Sequence, residues 1–225
     1  MSSVKNAVIA VAGVGKRLGL GKPKCLVNVC DKTILEYQLA LLKDFENIFL
    51  ITGFAEDAVM DFASKIRKDI IFVKNPNFQH TKTLGSFYLA AKIIKDYAIF
   101  MDGDMIIEPN SFNNFLETAS FEMKKDVMTI AVSERISDDP VYADVKIDAD
   151  GAMEIYGFSY EKKTAYEWAN IVCMSAKLMG NGNSHTFEHL QKFIPAAAAV
   201  INRLEIDTPQ DLKIAENNLK VNNWF

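Results

Sequence analysis

The feature that most constrains the fold is a short apolar run, residues 7–11, which leads directly into a glycine-rich loop. Such a run is typical of a strand buried on both faces of a parallel sheet. Open sheets of this kind bind ligands at the carboxyl ends of their strands, where glycines let backbone N–H groups close around an anion. The start of the chain therefore predicts an α/β fold with an anion site after its first strand.

Strand-like and helix-like segments alternate through the first half of the chain. Strands are predicted at residues 7–11, 47–51, 70–73 and 97–101, and the helices between them at 33–44, 55–67 and 83–95. Because a helix separates each strand from the next, we expect parallel strands joined by right-handed crossovers.

The second half of the chain predicts a mixed arrangement. Strands are predicted at residues 126–133, 142–147, 153–158, 168–174 and 203–206, with a helical region between the last two and a final helix at 209–219. The second and third of these strands form a β-hairpin around the turn at 148–151. No linker divides the chain. We therefore predict one domain over residues 1–225, with a Rossmann-like, doubly wound, mostly parallel sheet and a β-hairpin flap that covers the substrate at about 140–168.

Charge and composition exclude several classes of protein. Lys and Arg number 25 against 29 Asp and Glu, and this net charge of -4 argues against a nucleic-acid partner. The longest apolar runs, residues 7–13 and 193–201, are too short to span a bilayer, so no membrane partner is expected. The 3 cysteines contain no CxxC pair, which argues against zinc and disulfides. Free thiols fit a cytoplasmic protein.

Four positive side chains crowd the glycine-rich loop. Lys16, Arg17, Lys22 and Lys24 lie within nine residues of one another. Cations this close repel one another unless an anion binds among them, so we predict that the loop binds phosphate. The candidate nucleotide-binding residues here are Ala12, Gly13, Val14, Gly15 and Lys16.

The spacing of the loop excludes two other phosphate-binding motifs. A P-loop needs a glycine five residues before the glycine of its Gly-Lys-Ser/Thr, but Lys16 stands five residues before Gly21, and Pro23 follows Lys22. A dinucleotide-binding fingerprint needs a small residue where Leu18 stands. An NAD(P)-binding module is therefore disfavoured.

Residues 12–17, Ala-Gly-Val-Gly-Lys-Arg, followed by Pro23 and Lys24, resemble the G-x-G-x-R…P-K signature of one nucleotidyltransferase superfamily. This superfamily comprises the sugar-nucleotide transferases, the cytidylyltransferases and the MobA-like NTP transferases. Phe-Met-Asp-Gly-Asp at 100–104 and Glu-Ile-Asp-Thr-Pro-Gln-Asp-Leu at 205–212 are similar to its other motifs. The resemblance runs from residue 7 to about 215 and implies a GT-A-like nucleotidyltransferase fold. Within the superfamily, residues 75–86 resemble the phosphocholine-type cytidylyltransferases.

Carboxylates in two of these motifs predict a magnesium site. Asp102 and Asp104 follow a predicted strand and, two residues apart, share a face, and Asp207 ends another strand. Mg²⁺ binds one or two carboxylates together with substrate phosphates, so Asp104 and Asp207 are the predicted ligands. The alternative for Asp207 is a role at the N-terminus of the next helix. The resemblance also places the metal on Asp104, but Asp102 stands where the superfamily commonly has an apolar residue, and the choice between the two stays open. Asp102 is kept as a candidate nucleotide-binding residue.

The resemblance and the charge pattern together assign roles to the phosphate-binding residues. Lys24 and Arg17 are the expected catalytic cations, Lys24 on the α-phosphate and the acceptor and Arg17 on the β- and γ-phosphates. The segment 75–86 is expected to read the base, with Asn75, Gln79, Thr83 and Ser86 as candidate binding residues. Helix capping is the alternative for Thr81 and Thr83.

Aromatic and acidic side chains accumulate in and after the hairpin. They are Tyr142, Tyr156, Phe158, Tyr160, Glu161, Glu167 and Trp168. Aromatic rings with nearby carboxylates can form a cage for a quaternary ammonium group. Because aromatic residues in strands more often fill a core, that reading is the alternative.

These features predict a Mg²⁺-dependent enzyme that transfers CMP from CTP to a small phosphorylated acceptor such as phosphocholine, with release of pyrophosphate. The expected partners are an NTP and this acceptor, in a monomer or a homodimer. One alternative is a sugar 1-phosphate nucleotidyltransferase that uses UTP, GTP or dTTP, and another is a molybdopterin-type guanylyl- or cytidylyltransferase. A nucleotide-binding regulator without activity is the alternative from another class.

Overall fold

The computed structural model describes residues 4–137 and 139–225. Within them the strands, in chain order, are β1 (Asn6–Ala10), β2 (Asn28–Val29), β3 (Lys32–Thr33), β4 (Asn47–Thr52), β5 (Ile71–Lys74), β6 (Tyr97–Asp102), β7 (Met105–Ile107), β8 (Thr129–Glu134), β9 (Tyr142–Ile147), β10 (Met153–Ser159), β11 (Tyr166–Ser175), β12 (Ala196–Val200) and β13 (Arg203–Glu205). The α-helices are α1 (Ile34–Leu41), α2 (Glu56–Ile66), α3 (Thr83–Ala91), α4 (Pro109–Glu122), α5 (Thr186–Leu190) and α6 (Pro209–Asn222). In this part of the chain, no helix has the length and apolar character needed to cross a bilayer.

The described strands include a sheet of nine, in the order β5-β4-β1-β6-β11-β8-β12-β10-β9. Its first four strands are parallel, with β1 between β4 and β6. Each parallel connection carries a helix or helices, as the alternation in the sequence predicts. The carboxyl end of β1, where the glycine-rich loop begins, therefore lies at the centre of this parallel half.

Helices cover both faces of the sheet. Successive side chains of a strand point to opposite faces, so Ile9 of β1 joins a core that includes residues of α1, α2 and α4. Val8 joins a second core with residues of α3 and α5. This two-sided cover confirms the predicted doubly wound α/β fold.

The second half of the sheet is mixed. β11 runs antiparallel to both β6 and β8, while β12 is parallel to β8. The predicted hairpin forms from β9 and β10, and β10 joins the sheet through β12. The start of β11 also pairs with β9, so β11, β8, β12, β10 and β9 form a closed ring of strand pairings.

The segment after β11 differs from the predicted secondary structure. A helical region was expected up to residue 202, but only α5 and short turns are helical, and Ala196–Val200 forms β12. The alanines of this segment favour a helix locally. Their pairing with β8, from Ala197 opposite Thr129 to Val200 opposite Val132, overrides that preference.

A two-stranded sheet brings distant acidic segments together. β7 and β13 pair antiparallel, with Met105 opposite Glu205 and Ile107 opposite Arg203. The N–H of Ile206 also donates to the carbonyl of Asp104 at 2.9 Å. This pairing holds the residues after β6 beside the residues after β13.

Candidate active site

The glycine-rich loop follows β1 and is anchored by a small core. Leu18 is buried in a cluster that includes Val29 and Ala215, whereas the loop itself is largely exposed. Gly15 has a φ of 64°, in the left-handed region that favours glycine, and a Cβ there would lie 3.1 Å from Lys24 Cγ. The loop therefore turns tightly against the side chain of Lys24.

Lys24 lies between two carboxylates. Its ammonium donates to Asp104 Oδ2 at 2.8 Å and also to Asp207 Oδ1. Arg17 donates to the other oxygen of Asp207 at 2.6 Å. The Lys24 side chain is 15% exposed and that of Arg17 is 72% exposed, so the lysine is fixed within the site and the arginine reaches into solvent. Three segments from different parts of the sequence thus meet at Asp207.

Gly103 allows the end of β6 to press against the end of β1. Its N–H donates to the carbonyl of Ala10 at 3.0 Å. A Cβ on Gly103 would lie 2.5 Å from Val11 Cγ1 and 2.7 Å from the Ala10 carbonyl oxygen, closer than real Cβ atoms come. Only glycine fits between Asp102 and Asp104 without a shift of the backbone.

Asp104, Glu205 and Asp207 form a carboxylate cluster that fits a divalent metal. One ligand oxygen from each lies within 4.8 Å of the others. Among the described residues, Asp104 Oδ1 is buried and has no hydrogen-bond partner. An all-oxygen donor set of this kind is what Mg²⁺ prefers. Glu205 was not among the predicted ligands, although Glu205 and Asp207 have the same two-residue spacing as Asp102 and Asp104.

The ionisable groups respond to this crowding of charge. Burial lowers the pKa of Lys24, but the charges and hydrogen bonds of Asp104 and Asp207 outweigh it and hold that pKa above its usual value. Burial, together with the negative charges of Asp104 and Glu205, holds the pKa of Asp102 well above its usual value. Burial also raises the pKa of Glu205, against the opposing effect of Arg203. Burial is thus the largest single influence on all three pKa values, and neighbouring carboxylates act in the same direction on Asp102 and Glu205.

A cavity of about 310 Å³ opens between the glycine-rich loop and the start of α3. The candidate residues that line it are Ala12, Gly13, Gly15, Lys16, Arg17, Lys24, Thr83, Ser86, Asp102, Asp104 and Asp207. Phe78, Thr81 and Lys82, which the sequence analysis did not select as binding residues, are further lining residues. Val14, Asn75 and Gln79 are not among the described lining residues.

Asn75 lies beneath the segment that was expected to read the base. Its side chain is buried, and its Nδ2 donates to the hydroxyls of Thr81 at 2.8 Å and Ser86 at 2.9 Å. Its Oδ1 accepts from the N–H of Asn77 at 3.0 Å. Gln79 is exposed. Asn75 therefore shapes this segment from below, with its amide already engaged.

The two threonines of the segment do not cap α3. The N-cap of α3 is Lys82, whose own side chain makes no capping hydrogen bond, and its N–H donates to Asn183 Oδ1 at 2.8 Å. The Thr81 hydroxyl instead donates to the carbonyl of Asn77 at 3.2 Å. Thr83 is the first residue of α3 and lines the cavity.

A second cavity, of about 580 Å³, adjoins the first and shares Arg17, Thr83, Asp102 and Asp207 with it. Its lining includes both aromatic rings and carboxylates. The aromatic residues are Phe87, Tyr160, Trp168 and Phe187, and the acidic residues are Asp102, Asp139, Glu167, Glu205, Asp207 and Asp211. Arg203, which the sequence analysis missed, also lines it.

The aromatic residues of the hairpin divide between core and cavity. Tyr142 is buried, and the ring of Phe158 packs edge-on against Trp168 at 5.8 Å between centroids. Tyr156 donates to Glu154 on the exposed side of the hairpin. Of the aromatic residues predicted for a cage, Tyr160 and Trp168 line the cavity.

Comparison with known proteins identifies a family for this chain. The family model described as the MobA-like NTP transferase domain matches residues 7–171. A choline-phosphate cytidylyltransferase of Streptococcus pneumoniae is 27% identical over 161 residues, which cover 68% of this chain and 69% of the relative. A CMP-5'-(3-aminopropyl)phosphonate synthase of Streptomyces rubellomurinus is 31% identical over 110 residues, 46% of this chain. That match spans only 18% of the length of the synthase.

Solved structures share the fold at low identity. A UDP-glucose pyrophosphorylase from Acinetobacter baumanii superposes with a TM-score of 0.78, over 97% of this chain and 94% of the other, at 16% identity. The likeness extends over both the parallel and the mixed halves of the sheet. It supports the GT-A-like nucleotidyltransferase architecture that the sequence motifs imply.

Proposed function

The chain belongs to the MobA-like NTP transferase family, and from that premise we propose that it transfers CMP from CTP to a small phosphorylated acceptor and releases pyrophosphate. The proposed acceptor is phosphocholine or a related headgroup phosphate. One observation carries the proposal: a cavity beside a basic, glycine-rich loop meets a second cavity at Arg17, Thr83, Asp102 and Asp207. Two ligands bound in these cavities come together beside Lys24.

The first cavity is the proposed CTP site. The backbone N–H groups of Gly13 and Gly15 cradle phosphate oxygens, as amides at such loops do. Lys24, fixed by its two carboxylate partners, holds the α-phosphate and the acceptor oxygen. Arg17 has an exposed side chain that pairs with Asp207 at the edge of the cavity, which suits it to the β- and γ-phosphates.

Mg²⁺ is the proposed cofactor, held by Asp104 and Asp207, with Glu205 as a third carboxylate within reach. When bound, the ion neutralises charge on the phosphate oxygens of the substrate. The unpartnered Oδ1 of Asp104 is the oxygen that most needs such a ligand.

The proposed reaction is a direct displacement. An oxygen of the acceptor phosphate forms a bond to the α-phosphorus, and the bond from that phosphorus to the pyrophosphate oxygen breaks. The acceptor phosphate is already ionised near neutral pH, so no side chain has to remove a proton. The barrier comes mainly from charge repulsion and alignment, which Lys24, Arg17 and the two adjoining cavities relieve.

The second cavity is the proposed acceptor site. Its described lining carries four aromatic residues and six acidic residues, of which Asp207, Glu167 and Glu205 form ion pairs and, within the described part of the chain, Asp139 and Asp211 do not. Such a lining favours a headgroup with a positive charge. Two relatives are named for choline phosphate and for an aminopropyl phosphonate. In both compounds a short carbon chain carries a nitrogen group at one end and a phosphorus group at the other. The segment 140–168 provides the flap over this site through Val141, Tyr160 and Trp168.

The second candidate is a sugar 1-phosphate nucleotidyltransferase that uses UTP, GTP or dTTP. The likeness of the fold to a UDP-glucose pyrophosphorylase favours it. The lining also offers hydrogen-bond partners for the hydroxyls of a sugar, at Thr83, Ser137, Asn170, Thr186, Thr208 and Gln210. We rank the charged headgroup first because aromatic rings stand beside carboxylates in the same lining.

The test is pyrophosphate release from each of four NTPs with phosphocholine, phosphoethanolamine, glycerol phosphate and hexose 1-phosphates. The proposal expects the highest kcat/KM for CTP with a headgroup phosphate. The highest value for UTP, GTP or dTTP with a hexose 1-phosphate supports the second candidate. No release from any pair, by a folded protein, contradicts both candidates and favours a nucleotide-binding regulator.

A further inference from the structure

A buried arginine joins two walls of the active site. The side chain of Arg203 is only 2% exposed. One of its terminal nitrogens donates to Glu205 Oε2, in the carboxylate cluster. The other donates to Glu167 Oε1 at 3.0 Å and to the carbonyl of Trp168 at 3.4 Å. One guanidinium therefore fixes a candidate metal ligand and a residue of the second cavity at the same time.

Glu167 extends this network to a loop. Its side chain is 1% exposed. Its Oε1 accepts from the Ser137 hydroxyl at 2.7 Å, and its Oε2 accepts from the Ser137 N–H at 3.2 Å. Ser137 lines the second cavity together with Ile136 and residues 139–141. The position of this cavity wall thus depends on a carboxylate that Arg203 holds.

We propose that Arg203 is a positioning residue that fixes the acceptor-side wall, through Glu167 and Ser137, and the carboxylate of Glu205 in one geometry. The inference rests on the proposed function in that it takes the second cavity as the acceptor site. It goes beyond that function by assigning acceptor affinity to a residue that touches neither phosphate loop nor nucleotide cavity.

The physical basis is the cost of burying charge. A buried guanidinium is tolerated only when it is paired and hydrogen-bonded, so Arg203 strongly favours the one arrangement in which both carboxylates contact it. The planar guanidinium group of Arg203 fixes the directions of its hydrogen bonds to Glu205 and to Glu167, whereas the ammonium group of a lysine does not. Arg203 lies on β13, whose pairing with β7 fixes its backbone.

Asn170 supports the other side of Glu205. It has a φ of 59°, unusual for a residue other than glycine, at an irregular point in the pairing of β11 with β8. Its Nδ2 lies 3.5 Å from Glu205 Oε1. Glu205 is thus held from both sides, by Asn170 and by Arg203.

The arrangement predicts separable kinetic effects. A substitution of Ser137 removes only the hydroxyl hydrogen bond that joins the cavity wall to Glu167. The KM for the acceptor therefore rises, while the KM for CTP and kcat stay unchanged. Changing Arg203 to lysine releases both ends, so acceptor KM rises and kcat falls. A residue that served only overall stability does not split KM and kcat in this way.

The experiment compares Ser137→Ala with Ser133→Ala. Both variants remove a hydroxyl that contacts Glu167 Oε1, at 2.7 Å and 3.5 Å respectively, but Ser133 lies in β8 and is not among the lining residues. We expect Ser137→Ala to raise acceptor KM by about fivefold, the value of one hydrogen bond, and Ser133→Ala to leave it unchanged. Arg203→Lys should raise acceptor KM, lower kcat and weaken Mn²⁺ binding measured without nucleotide. Equal increases in KM for CTP and acceptor, or unchanged constants in Arg203→Lys, overturn the proposal.

Hydrogen–deuterium exchange provides a readout that does not depend on activity. The proposal expects the amides of residues 135–137, 139 and 141 to exchange faster in Glu167→Gln and Arg203→Lys than in the wild type, and at the wild-type rate in Ser133→Ala. Unchanged exchange in Glu167→Gln overturns it. If the wild type releases no pyrophosphate with any substrate pair, the proposed function fails, and the exchange measurement still decides whether Arg203 positions the wall.

Discussion

The ammonium of Lys24 lies 2.8 Å from Oδ2 of Asp104, although 80 residues separate the two in sequence. The same ammonium contacts Asp207, a further distant residue. A single cation therefore joins the glycine-rich loop to the segments that follow β6 and β13. This contact places the three sequence motifs of the superfamily in one site.

The first prediction concerns Lys24. Lys24→Met should lower kcat by about 10²–10³, since one donor that stabilises charge in the transition state is lost. The comparison is Lys22→Met, which removes a charge from the same loop at an exposed position outside the described lining of the first cavity. Steady-state kinetics and thermal melting check both variants. A Lys24→Met enzyme with wild-type kcat removes Lys24 from the mechanism.

The second prediction concerns the carboxylate cluster. Asp104→Asn and Asp207→Asn should each abolish most activity and weaken Mn²⁺ binding, because each removes a charged oxygen ligand. Activity should disappear in excess EDTA and return with Mg²⁺. Asp69→Asn, at an exposed ion pair with Arg67, is the control.

Asp102→Asn decides between the two aspartates around Gly103. If Asp102→Asn loses metal binding while Asp104→Asn keeps it, Asp102 is the ligand. Full activity in EDTA contradicts the metal requirement as a whole.

The third prediction concerns Gly103. Gly103→Ala should lower the free energy of unfolding by about 1–3 kcal/mol, because the added methyl group overlaps Val11 and the Ala10 carbonyl. Gly13→Ala is the matched comparison, since a Cβ there has no described atom within 4 Å. Urea unfolding of both variants checks it. Equal stability of the two variants shows that the strand ends can separate without cost.

The fourth prediction concerns the pH dependence of stability at Glu108. Burial acts to raise the pKa of its carboxyl, but hydrogen bonds from the N–H groups of Asn110 and Ser111 outweigh this and lower the pKa below its usual value. A lowered pKa means that the carboxylate stabilises the fold above pH 4.5 and loses that contribution as the pH falls.

Glu108→Gln therefore should destabilise the protein by about 0.5–1 kcal/mol at pH 7, because the charge at the start of α4 is lost. The difference from the wild type should shrink as the pH falls below the usual carboxyl pKa of 4.5. Urea unfolding at several pH values measures it. A difference that stays constant across this range contradicts the account of Glu108.

The parallel half of the fold and the position of the glycine-rich loop after β1 could be predicted from local patterns. The strands of that half are continuous apolar runs, and glycines and cations mark the loop after β1. α4 was missed because Asn110, Asn113 and Asn114 weaken its helical pattern, although Glu108 and Pro109 are a typical start. β12 was missed because only pairing with β8 makes its alanines extended.

The rest of the site depends on contacts that sequence spacing does not encode. Asn75 was expected to contact the base, but two hydroxyls beside it in the folded chain satisfy its amide. In the sequence, Arg203 and Glu205 are only two charged residues, two positions apart on a short predicted strand. Their contact with Glu167 depends on the pairing of β13 with β7 and on the position of β11, which the sequence pattern does not predict.

The central claim is the transfer of CMP to a phosphorylated headgroup, and ³¹P NMR of a reaction with CTP, phosphocholine and Mg²⁺ tests it most directly. The account predicts equal amounts of pyrophosphate and of a product in which the cytidine α-phosphorus is joined through oxygen to the headgroup phosphate. The same reaction without phosphocholine should leave CTP intact. Pyrophosphate that forms equally fast without an acceptor, or a joined product only from another NTP with a hexose 1-phosphate, contradicts the claim.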